Sequence, residues 1–94
     1  MDNIRSLRYE ERFEREAAAV EPNATQRDEI FQGVEWDLAR DSYIGERVGY
    51  TDVWAITTRP FVNRQEQVVE LVIYYRFTDD MVTMLSVIQV VLDW

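Results

Sequence analysis

The chain contains no cysteine and no histidine, all ten of its basic residues are arginine, and it has only three glycines and two prolines. Without cysteine there is no disulfide framework, no thiolate nucleophile and no thiolate-held zinc or iron–sulfur centre, so packing alone must hold the fold. The same absence points to a reducing, cytoplasmic setting. Without histidine or lysine, a serine or threonine nucleophile has only a carboxylate or a terminal amine as its base, which excludes triad-type hydrolysis. The glycines stand alone at Gly33, Gly45 and Gly49, so there is no phosphate-cradling loop. No calcium-loop spacing is present either, and no cofactor or metal is expected. No apolar run approaches the length of a membrane-spanning helix, and no leader pattern opens the chain, so neither membrane nor export is expected.

What is present is acid and hydrocarbon. Eighteen Asp and Glu against ten Arg give a formal charge of -8, and a polyanion would meet a repulsive field, which argues against general nucleic-acid binding. The 47% hydrophobic content, with three Trp, five Tyr and four Phe, is far above the disordered signature and suits one domain spanning residues 1–94.

Periodicity divides that domain. Ile4–Tyr9 alternates loosely and predicts a short strand. Glu10–Val20 is rich in helix formers, with Phe13 and Ala17 one turn apart. Pro22 interrupts this helix, and Asn23 or Thr25 can cap a second one running from about Gln26 to Arg40. Ile30, Phe31, Val34 and Leu38 share its inward arc, Trp36 lies outside it, and Gly33 on the flank would let another backbone approach. Asp41–Asp52 reads as a loop in which Tyr43, Ile44 and Tyr50 turn inward. The period then becomes two. Trp54 to Thr58 is a strand ended by Pro60, and Asn63–Gln67 is a hairpin connection. Val69, Leu71, Ile73, Tyr75 and Phe77 form one face of the next strand. After a turn at Thr78–Met81, Val82–Leu92 is a final strand. Val82, Met84, Ser86, Ile88 and Val90 form one side of it, and both sides are apolar enough to predict cover on each. The fold class is therefore α+β: a short strand, a two-helix hairpin packed on one face of a sheet, and a three-stranded antiparallel meander.

Few residues suggest chemistry. Asp79 and Asp80 are a carboxylate pair, but adjacent acids in a strand-to-strand turn ordinarily bond the local backbone. Arg59, Arg64 and Arg76 lie on or beside strands, where a guanidinium grips phosphate or carboxylate in a forked geometry; the competing reading pairs them with Glu66 and Glu70 on a solvated face. Trp36 either packs on its surroundings or anchors a partner, and Trp94 either folds back on the sheet or meets a second chain.

The element order, together with DEIFQGVEWDLARD over Asp28–Asp41, the strand Asp52–Ile56 after a glycine-containing loop, and the hairpin Val72–Val90, resembles the RelE/ParE superfamily of bacterial toxin–antitoxin pairs. The resemblance implies an antitoxin protein as partner. The RelE branch cuts messenger RNA on the ribosome with basic residues and a tyrosine, which on this chain would fall to Arg59, Arg76 and Tyr75, helped by Arg64. The branch's strand lysines are replaced here by Ala55 and Thr57, and its hairpin arginine by Val72. The ParE branch binds DNA gyrase and needs no cleavage constellation, so the expectation is a ParE-like toxin-fold protein acting by protein binding. A RelE-like endonuclease and a non-toxic homodimer anchored by Trp36 or Trp94 are the alternatives.

Overall fold

Ten consecutive residues with alternating apolar side chains make the centre of the sheet, as seen in the computed structural model, which describes residues 4–92. This strand, β5 (Val68–Phe77), buries Val69, Leu71, Ile73 and Tyr75 completely. It pairs antiparallel with β6 (Met81–Val91) on one side and β3 (Trp54–Thr57) on the other. β1 (Ser6–Tyr9) runs parallel to β6, with Ser6 opposite Met81. Two short strands add to the expected meander: β2 (Glu46–Arg47) pairs with β3, and β4 (Phe61–Val62) pairs with the start of β5. The sheet order is β1-β6-β5-β3-β2, with β4 beside β5.

The helices are α1 (Glu11–Val20) and α2 (Ala24–Arg40). Asn23 is the cap between them, its side chain accepting from the amide of Gln26 at 3.0 Å, which satisfies one of the orphan donors of the first turn. Phe13 and Ala17 from α1 and Phe31, Val34 and Leu38 from α2 close over Leu71, Ile73, Tyr75, Val82, Met84 and Val87 to form the core. Phe13 and Phe31 meet edge to face at 5.5 Å, the arrangement that aromatic quadrupoles favour.

Four expectations need correction. The buried side of β6 is not a single alternation: the register shifts between Tyr74 and Tyr75, so that Tyr74 faces Ser86 while Tyr75 faces Met84. Leu85 is thus an extra residue, and Val87 takes up the buried role that simple alternation assigned to Ser86 and Ile88. Nor is β6 covered on both sides. The helices lie on one face, and on the other Ile88 is 43% and Val90 36% exposed. Finally, a β-carbon on Gly33 would meet nothing within 4 Å, so no backbone approaches it, and Tyr50 is fully exposed rather than tucked inward. Tyr43 and Ile44 are also largely exposed, although Tyr43 sits edge-on against Trp54 and Phe77, at 5.6 and 4.9 Å.

The edge of β6 beyond β1 is handled by α1. Once β1 ends, the Glu16 carboxylate accepts from Ser86 Oγ at 2.7 Å and from the Val87 amide at 3.3 Å. A side chain thereby replaces the carbonyl that a longer strand would have offered, and these bonds hold the Glu16 pKa below its ordinary value, the Ser86 hydroxyl first among them.

Candidate functional site: a groove between α2 and the β3–β4 segment

A concavity of about 1130 Å³ runs between α2 and the chain from Ile56 to Arg64. Its floor is apolar, built from Ile30 and Val34 of α2 with Ile56 and Phe61. These side chains face inward because α2 presents its i, i+4 stripe to the sheet and Ile56 lies opposite buried Ile73. Gly33, on the helix flank, leaves the wall without a side chain. On the opposite wall the outer edge of β3 has no strand partner beyond Ala55, because β2 begins only at Glu46, the residue opposite Ala55.

Of the two arginines lining the groove, one is held and one is not. Arg64 Nε lies 2.8 Å from Glu21 Oε2, a carboxylate that also accepts from the Asn23 amide at 2.9 Å. Arg27 adds a bond to the Glu21 carbonyl at 2.8 Å. Glu21 is buried, and its pKa is lowered by the Asn23 amide first and then by Arg64. Arg64 therefore ties the β4–β5 turn to the corner between the helices. Its acid is Glu21, not the Glu66 or Glu70 expected from the strands. Arg59 is exposed and forms no ion pair among the described residues.

Trp36 stands at the mouth of the groove, 57% exposed, with Arg40 over its ring at 5.6 Å. It also borders a second, apolar hollow of about 730 Å³ that includes Ile4, Leu7 and Ala39. Beside that hollow the Tyr9 hydroxyl donates to Glu35. Burial raises the pKa of both groups, and in Tyr9 the bond and charge of Glu35 add to the rise.

Tyr75, Arg76 and Arg59 do not converge. Tyr75 is completely buried on the helix side, where its hydroxyl donates to the Ser42 carbonyl at 2.7 Å and accepts from the Gly45 amide at 3.2 Å. Burial raises its pKa. Arg76, the next residue of β5, points to the opposite face and lies 3.9 Å from Asp52. Trp94 lies outside the described residues. Asp79 and Asp80 occupy the β5–β6 turn, closed by the Thr78 amide on the Met81 carbonyl at 2.8 Å. Among the described residues no three acidic side chains gather as a metal-holding group, and no helix is long and apolar enough to cross a membrane.

Sequence reasoning marked Arg59, Arg64 and Trp36, and all three border the groove. It missed the free β3 edge, the Glu21 anchor and the role of Gly45. A β-carbon at Gly45 would lie 2.4 Å from Tyr75 Oη and 2.5 Å from the Ala55 carbonyl oxygen. A lone glycine in a loop was the available signal for that close approach. Compared with family models, with curated proteins and with solved structures, the chain finds no match in any of the three.

Proposed function

We propose that this chain is a ParE-like toxin-fold protein that works by binding protein, gyrase being the target class implied by the resemblance, and that an extended antitoxin segment lies in the α2/β3–β4 groove. The observation that carries this reading is the groove itself: an apolar floor, an unpaired strand edge and one cation, Arg59, without an ion pair among the described residues. An extended peptide satisfies all three, with main-chain bonds to the edge, alternate side chains on the floor and a carboxylate for Arg59. The strand, helix-hairpin and strand order supports the resemblance. The geometry favours binding over a RelE-like cleavage, since the Tyr75 hydroxyl is bonded to the 42–45 loop and Arg76 faces away from it.

The test is expression in a bacterial host with and without the product of the adjacent small reading frame. Growth arrest relieved by that partner, and lost relief in an Arg59→Glu variant that remains toxic, is the expected result. Strong expression with no growth defect overturns the reading. Purified protein that cleaves ribosome-bound message would replace it with the endonuclease alternative.

A further inference from the structure

We infer that the helix-free face of the sheet is a two-fold interface with a second copy of this chain. On β5 this face presents, in order, Glu70, Val72, Tyr74 and Arg76, and beside it on β6 lie Ile88 opposite Val72 and Val90 opposite Glu70. None of these side chains joins the core, which lies wholly on the helix side. The face is thus an apolar band with an acid at one end and a base at the other. The base is reinforced, because Arg8 of β1 and Arg76 share a row through Thr83.

That pattern is self-complementary in one orientation. A two-fold axis lying between two such sheets and crossing the strands at the level of Ile73 sets Glu70 of each copy against Arg76 of the other and Val72 against Tyr74. The alternative with strands parallel stacks like charges on one another. Glu70 makes no ion pair among the described residues, and Arg76 has only the loose contact to exposed Asp52 at 3.9 Å. Both charges are therefore available to a partner. Aligned packing of two sheets about 10 Å apart is an ordinary way to bury such a face. The interface lies across the sheet from the groove and does not depend on the toxin reading.

Sedimentation equilibrium on the full chain decides the matter. The expected result is a mass of two chains for the wild type. Glu70→Arg and Arg76→Glu should each weaken association by about an order of magnitude, and the double variant E70R/R76E should restore it. Ile88→Arg, at an exposed position that tolerates charge, should give a monomer with an unchanged circular dichroism spectrum. A wild type that stays monomeric at millimolar concentration overturns the inference and leaves the face to some other chain. A dimer indifferent to Ile88→Arg, or a charge swap without recovery, overturns it as well.

Discussion

Replacing Tyr75 by phenylalanine removes a single oxygen that serves the Ser42 carbonyl and the Gly45 amide together. Both partners lie in the segment that connects α2 to β2, so the expected loss is about 1–3 kcal/mol, read as a lower denaturant midpoint with an unchanged fold. Gly45→Ala should cost a similar amount, about 1–3 kcal/mol by overpacking, because the Ala55 carbonyl cannot rotate away as a flexible side chain could. Titration gives two opposed signs. Glu16 and Glu21 have lowered pKa values in the fold, so their contributions are complete above the unfolded glutamate value of about 4.3 and vanish as pH falls through the folded values. Glu35 is raised by burial; its folded form holds the proton longer, and it weakens the fold as pH rises past the unfolded value. Glu35→Gln should thus raise stability near neutral pH and leave it unchanged in strong acid, as measured by thermal melts across pH. At this scale the sequence was partly legible. Alternation put Tyr75 on the apolar face, yet the same residue was named for catalysis, because its two partners are backbone atoms of an irregular loop and no pattern announces them.

Elements were easier to read where one period ran unbroken. α2 shows its inward stripe in the sequence, and β5 alternates without interruption, so both were legible almost to the residue. β6 was not, because one extra residue at Leu85 reverses which side of the strand is buried, and an apolar strand carries nothing that marks such a shift. The guard that α1 places on the β6 edge was also hidden, since Glu16 and Ser86 are far apart in sequence. Glu16→Ala should cost about 1 kcal/mol and speed hydrogen exchange at the Val87 amide. Exchange at Val87 that is no faster than in the wild type would show that the strand, not the carboxylate, protects this edge.

For the whole molecule, the sequence conveyed the order of elements but not the groove, which exists because β2 begins only at Glu46 and leaves β3 with an open flank beyond Ala55. Arg59 is the reporter for that surface. As an exposed residue without an ion pair among the described residues, its change to alanine should leave the melting temperature unaltered while weakening capture of the partner segment, a difference that calorimetric titration against the purified partner would read. Arg64→Ala should do the reverse and destabilise the fold first, since it strands buried Glu21 without its guanidinium. The parallel pairing of β1 with β6 bears on something else, the order in which the molecule assembles. Ser6 finds its register only against Met81, so the first strand made is among the last to be satisfied. The β5–β6 hairpin, whose contacts are local, can close early, whereas β1 waits on the longest loop closure in the fold. Substitutions in the hairpin should therefore slow refolding, and substitutions at Leu7 should instead hasten unfolding.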